Sequence, residues 1–238
     1  MGRKDSRIDT LRRKRKSASA RRCRSEDNRP VEVRFLIVCE GTETEPNYFN
    51  ALINNHNKKG SIVRTAEIKG AGLGTCSLIR EAQEIRQELE RKNAMTFDSS
   101  WVVFDKDDFS DFDQAIRNAE KAGFKSAWSN ESFELWYYLH FHYLDAAISR
   151  EDYIKKLEGF LSERIGGTFS YQKNDPQMYD LLQRYGNEER AKKWACDLQK
   201  MHCEKPYSEK CPCTTVNELV EEIESPERLI SSVTEQLP

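Results

Sequence analysis

Two apolar runs that each stop abruptly at an acid constrain this chain more than anything else in it. Phe35-Leu36-Ile37-Val38-Cys39 ends in Glu40, and Trp101-Val102-Val103-Phe104 ends in Asp105. Short uncharged runs of bulky, β-branched and aromatic residues mark strands buried on both faces, the kind found in parallel sheets covered by helices. Helical spacing follows each run: Tyr48, Phe49, Leu52 and Ile53 after the first, and Phe112, Ile116 and Ala119 after the second. Strands are expected at about 33–39, 61–68, 101–104 and 124–128, with helices at about 45–57, 75–93 and 110–122. This alternation predicts an α/β fold with a mostly parallel sheet flanked by helices. Beyond residue 150 strand signals fade, and segments near 150–163, 176–185, 187–200 and 214–235 read as helices, a helical C-terminal part.

In open α/β sheets ligands bind outside the carboxyl ends of the strands. Glu40 and Asp105 both stand there. Asp105 and Asp107 are separated by period two and so point to the same side of the backbone. Two such carboxylates repel each other unless a cation lies between them, and Mg²⁺ takes hard oxygen ligands of this kind, with Mn²⁺ as a substitute. Asp108 and Glu43 are available for a second ion. Gly41 permits a tight turn, and Thr44 is expected to cap a helix with Glu45 and Pro46 in its first turn. Ser129 or Asn130 is expected to cap the helix that carries Phe133, Leu135, Trp136 and Leu139. Within that apolar setting Glu134 needs a partner. It either completes a metal cluster from the end of the fourth strand or pairs with a Lys or Arg.

The net charge of −2 over 238 residues conceals a strong asymmetry. Residues 1–24 carry 11 Lys or Arg against 2 Asp, a net of +9, and the remainder carries 27 basic against 38 acidic residues, a net of −11. Residues 1–30 are therefore expected to form a basic tail, disordered when free, whose Arg12, Arg13, Lys14, Arg15 and Lys16 suit phosphate-backbone contact. The bland alternative is a solvated tail. Residues 31–145 are expected to hold the sheet-based core and 146–238 the helical region. Lys69 and Arg80 flank a glycine-rich loop and are candidate phosphate contacts, although Gly70, Gly72 and Gly74 match neither a P-loop nor a dinucleotide fingerprint. The seven cysteines are odd in number, lack a Cys-x-x-Cys pair and come without a secretion signal. Separate reduced thiols are favoured over disulfides or a zinc knuckle at Cys196, Cys203, Cys211 and Cys213. No apolar run is long enough for a membrane span, so a cytoplasmic protein is expected.

Three segments together resemble the RloB family. Phe35 to Phe49, with Glu40-Gly41-Thr42-Glu43-Thr44-Glu45-Pro46 at its centre, looks like the opening motif of that family. Val103-Phe104-Asp105-Lys106-Asp107 looks like its Asp-x-Asp strand, and Ser129-Asn130-Glu131-Ser132-Phe133-Glu134-Leu135-Trp136 looks like its third motif, with Glu131 where the family usually has Pro. Pro212-Cys213-Thr214-Thr215-Val216 resembles the closing stretch, with Cys213 in place of Ser. RloB proteins are similar to Toprim-domain enzymes. The resemblance implies a Toprim-like catalytic core over 31–145, Glu40 as general acid/base or metal ligand, and Asp105 and Asp107 as Mg²⁺ ligands. It also implies a nuclease effector of bacterial phage defence, acting on RNA such as tRNA or on DNA, with an ATPase partner and room for a homo-oligomer. The chemistry agrees, because phosphodiester cleavage needs a metal to neutralise phosphoryl charge and a group to move a proton. Two other readings stand beside it: a non-catalytic metal- or nucleic-acid-binding subunit partnering an ATPase, and a phosphatase of the haloacid-dehalogenase kind. The last is disfavoured because its nucleophile follows the first strand, where this chain has Glu40.

Overall fold

The two apolar runs lie side by side in the sheet. Strand β1 (Glu32–Cys39) pairs in parallel with β3 (Ser99–Asp105) on one side, with Cys39 opposite Val103, and with β2 (Val63–Gly70) on the other. Strand β4 (Lys125–Asn130) extends the parallel set, and a two-residue β5 (Cys213–Thr214) closes it antiparallel, giving the order β2-β1-β3-β4-β5. The structure is a computed structural model and describes residues 31–59, 62–72, 75–106 and 111–234. The basic tail with Arg12, Arg13, Lys14, Arg15 and Lys16, and the acids Asp107 and Asp108, lie outside the described residues.

Alternation along the strands sends side chains into two separate cores. Val33, Phe35, Ile37, Cys39, Trp101 and Val103 face one core, filled by α1 (Thr44–Lys59) and α4 (Glu134–Leu139). Leu36, Val38, Val102 and Phe104 face the other, filled by α2 (Thr75–Asn93) and α3 (Phe112–Lys121). The later helices α5 (Arg150–Ile165), α6 (Met178–Tyr185), α7 (Glu188–Met201) and α8 (Val216–Glu224) all place buried side chains in the first core. A last helix, α9 (Glu227–Thr234), follows them. The crossover through α1 thus runs over one face, and those through α2 and α3 over the other. The winding reverses between β1 and β3, so the crevice at their carboxyl ends is the topological switch point of the sheet.

Three local expectations are corrected. Thr44 is the first residue of α1 rather than the cap before it, and its hydroxyl donates to the Lys173 carbonyl at 2.8 Å, in a segment that lies across the helix start. Ser129 and Asn130 are strand residues rather than helix caps. β5 pairs with them, Ser129 Oγ lies 2.9 Å from Thr214 Oγ1, and α4 begins only at Glu134. The segment 214–235 is not one helix. Pro226 has no N–H to continue the ladder, and Arg64 takes up the exposed end of α8 by donating to the carbonyls of Ile223 and Glu224. Among the described residues Cys39, Cys196, Cys203, Cys211 and Cys213 are free thiols. No helix among the described residues is long and apolar enough to cross a membrane.

Candidate carboxylate site

The crevice between β1 and β3 is built from backbone first. Glu40, one residue past β1, donates its N–H to Val103 O at 2.8 Å and accepts from Gly72 N–H at 2.8 Å. These bonds hold it between the ends of β3 and β2. Its Oε2 accepts the Asp105 N–H at 3.2 Å, which ties the first acid to the second across the sheet. Two glycines permit the turn that follows. A Cβ on Gly70 would lie 2.5 Å from Thr42 Cα, and one on Gly41 would lie 2.1 Å from Glu45 Oε2. Gly70, hemmed in by backbone, therefore has no room for a side chain, whereas a side chain at Gly41 would require the flexible end of Glu45 to move.

Asp105 falls on the same face of β3 as Trp101 and Val103, the face that carries α1 and α4. Arg150, the first residue of α5, donates from Nη2 to Asp105 Oδ2 at 3.1 Å and sets its Nε 3.8 Å from Glu134 Oε2. Glu134 is 3% exposed, and its Oε1 accepts the Tyr171 hydroxyl at 3.1 Å. Glu45 is 8% exposed, and its Oε2 finds no hydrogen-bond partner. Burial pushes the Asp105 carboxyl well above the usual range, the charges of Glu45 and Glu134 push it further, and Arg150 opposes them. Burial likewise raises Glu45, with Glu134 adding to the rise and Lys173 and Arg150 opposing it. The charges of Glu45 and Glu134 thus bear on Asp105, and that of Glu134 on Glu45.

A loop from α5 to α6 covers this group. Its course is set by α5 itself, since Ser162 Oγ accepts from Phe169 N–H at 2.9 Å and Glu158 Oε1 from Tyr171 N–H at 2.8 Å. Burial, reinforced by Glu134, raises the Tyr171 hydroxyl and keeps it a proton donor. The same loop brings Lys173 and Asn174 over the start of α1, where Asn47 Nδ2 donates to Asn174 O at 3.3 Å.

Of the residues expected from sequence, Glu40, Asp105 and Glu134 converge. Asp107 and Asp108 lie outside the described residues. Lys69 stays at the surface with Nζ 3.6 Å from Glu67 Oε2, and Arg80 sits on the outer side of α2 beside Gln83, Asn118 and Lys121. Sequence reasoning missed Glu45, Arg150, Tyr171 and Lys173 as members of the group. Glu45 carried one usable signal, a glycine four residues upstream and a proline immediately after it; the other three reach the site only through long-range packing.

The donor set suits a hard divalent ion: carboxylate oxygens, one of them buried and unpartnered, in a crevice with more acids than cations. Among the described residues, however, no group of three His, Cys, Asp or Glu side chains is placed so that it could hold a metal ion. Arg150 meanwhile supplies positive charge between Asp105 and Glu134. Comparison with curated proteins and with solved structures gives no significant match. A family model does match, over residues 35–223, a span that includes every described carboxylate of the crevice, and the chain belongs to the family of RloB-like proteins.

Proposed function

We propose that this chain is a Mg²⁺-dependent phosphodiesterase, a nuclease effector of Toprim-like design that cleaves RNA such as tRNA, or DNA, in bacterial phage defence beside a partner ATPase. The observation that carries the reading is the convergence of Glu40, Asp105 and Glu134 at the switch point between β1 and β3. Glu40 and Asp105, with Glu134 and the neighbouring Asp107 and Asp108, are the residues that would hold Mg²⁺ or Mn²⁺. Such an ion supplies neutralisation of phosphoryl charge and a lowered pKa for the attacking water. Glu40 is fixed by the Asp105 N–H at one carboxylate oxygen. With the other it holds the ion or moves a proton. Arg150 opposes the rise that burial and the neighbouring acids impose on the Asp105 carboxyl, and the loop carrying Tyr171 limits the access of water. The basic tail, Lys69 and Arg80 extend contact to the phosphate backbone.

A second reading rests on Arg150. A guanidinium that already spans two acids is what a non-catalytic binding subunit would use to close the crevice without a metal. Cleavage of labelled tRNA, single-stranded and duplex substrates with Mg²⁺ or Mn²⁺, compared with Asp105→Ala, separates the two. The nuclease reading expects metal-dependent cleavage that falls on the order of 10³-fold or more in the variant. The metal-free melting temperature should stay level or rise, since one repelling charge is gone. A variant that unfolds, or that cleaves as the wild type does, assigns these acids to structure.

A further inference from the structure

We infer that the groove between α2 and α3, lined by Arg80, Gln83, Asn118 and Lys121, is a phosphate-binding subsite for the backbone of a nucleic acid. The inference rests on the nucleic-acid substrate proposed above and gives it a second point of attachment, away from the carboxylate crevice.

Exposed cations on a helix have an ordinary explanation, since a charged outer face keeps a helix solvated. Such a face in this chain should mix its charges, because residues 25–238 carry 38 acidic against 27 basic residues. Two larger cavities do mix them. The one at the edge of β4 is lined by Lys125 and Lys210 together with Glu120 and Glu218. The one beside α7 and α8 sets Lys192, Lys193 and Arg228 among Glu189, Glu221 and Glu224. The groove of about 310 Å³ between α2 and α3 has no acid in its lining, where Ile79 and Ala122 stand beside the two cations and two carboxamides. Neither Arg80 nor Lys121 takes part in an ion pair among the described residues.

The polar groups of the groove are set to donate. Gln114 Nε2 donates to Asn118 Oδ1 at 2.7 Å, so that oxygen is occupied and Nδ2 is the group left for a ligand. Arg80 and Lys121 carry only donors. The end of α3 would by itself oppose an anion, because the last carbonyls of a helix are its negative pole. Arg86 removes that obstacle, with Nη2 donating to Ala122 O at 2.8 Å and Nη1 to Gly123 O at 3.3 Å. Positive charge and donors without a competing carboxylate suit an oxyanion, and guanidinium and ammonium groups are the common phosphate contacts. The chain also links groove and crevice closely. Gly72 N–H donates to Glu40 O, α2 starts three residues later at Thr75, and Arg80 stands five residues, about 8 Å, along it. A polymer with a phosphate at every nucleotide can occupy both places at once, which a small phosphate ester cannot.

The test is binding of labelled tRNA and of a labelled single-stranded oligonucleotide to the full-length protein in chelator, read by fluorescence anisotropy over a range of salt. The variants are the pair Arg80→Gln with Lys121→Gln, the single Asn118→Asp, and a control pair, Arg91→Gln with Lys92→Gln. The control removes the same charge from the exposed last turn of α2. Both pairs replace exposed side chains and should melt with the wild type. In the groove pair affinity should fall at least about tenfold, and the slope of log affinity against log salt should flatten by roughly 1.4–1.8, the loss of two phosphate contacts. Asn118→Asp keeps the acceptor for Gln114 but replaces the donor in the groove by a carboxylate oxygen, and should weaken binding too. The control pair should stay within about twofold of the wild type. Equal losses in the two pairs overturn the inference, because charge anywhere on the surface would then suffice. Wild-type affinity in the groove pair overturns it and leaves the crevice and the basic tail to hold the polymer. A wild type that binds neither nucleic acid overturns both the inference and the nucleic-acid reading beneath it.

Discussion

Two regions of this molecule gather acids around a long cation, and they settle the charge differently. At the junction of α7 and α8, Lys192 Nζ lies 2.7 Å from Glu189 Oε1, 2.5 Å from Glu224 Oε2 and 3.9 Å from Glu188 Oε1. His56 stands 3.8 Å from the other oxygen of Glu224. Burial and a hydrogen bond with Glu224 raise the Glu188 carboxyl to about 8, so at neutral pH the two acids share a proton. That region settles its excess of negative charge internally. In the crevice, Arg150 reaches Asp105 and Glu134, but Glu45 keeps a buried oxygen with no partner. Acids, burial and raised pKa values are common to both regions, and so do not identify function. The difference is a buried carboxyl oxygen without a hydrogen-bond partner, in the turn that follows a strand of a parallel sheet.

The comparison breaks first at its cations. Lys192→Met should destabilise the protein by about 3–5 kcal/mol, because Glu188 and Glu224 lose their common partner in a largely buried setting. For a chain of this size that is roughly a 10 °C fall in melting temperature. Added Mg²⁺ should not restore it. Arg150→Gln should cost less, about 1–2 kcal/mol, since the guanidinium is 28% exposed and water screens part of the loss. Here Mg²⁺ should recover most of the stability, with a metal affinity higher than that of the wild type once the competing cation is gone. The measurement is thermal melting of both variants with chelator and with Mg²⁺. Recovery of Lys192→Met by metal, or no recovery of Arg150→Gln, would erase the distinction between the regions.

The strand ends were legible because their signal is local. An apolar run followed by an acid places Glu40 and Asp105 at the edge of a sheet from composition alone, and the parallel order follows from helices between strands. Glu134 was noticed because its neighbours are apolar. Glu45 looked like an ordinary first-turn acid, since burial depends on Gly41 and on a loop more than 120 residues away. Arg150 and Tyr171 had no signal, because α5 and its loop reach the crevice only through tertiary packing. The same distance effect hid β5: two residues after Pro212 carry no strand pattern, yet pairing with Ser129 and Asn130 makes them one. The break between α8 and α9 was different in kind. Pro226 announces it, and the apolar spacing on either side merely masked it.

The smallest effect concerns the shared proton and sharpens the contrast most cleanly. A carboxyl whose folded pKa is raised binds its proton more tightly in the folded state. Its contribution to stability is full below the unfolded value near 4.5 and is lost as pH climbs through about 8. Glu224 runs the other way: burial works against it, but hydrogen bonds from Glu188 and Lys192 hold its carboxyl below the ordinary range, so its contribution is lost as pH falls. Glu188→Gln places a permanent donor where the shared proton sits. Variant and wild type should melt together at pH 5.5 in metal-free buffer. At pH 8.5 the variant should be more stable, by on the order of 1 kcal/mol. Asp105 and the other acids of the crevice titrate in both proteins, and their effect cancels in the difference. An unchanged difference between the two pH values would mean that Glu188 and Glu224 share no proton, and that the second region too carries charge its own residues do not settle.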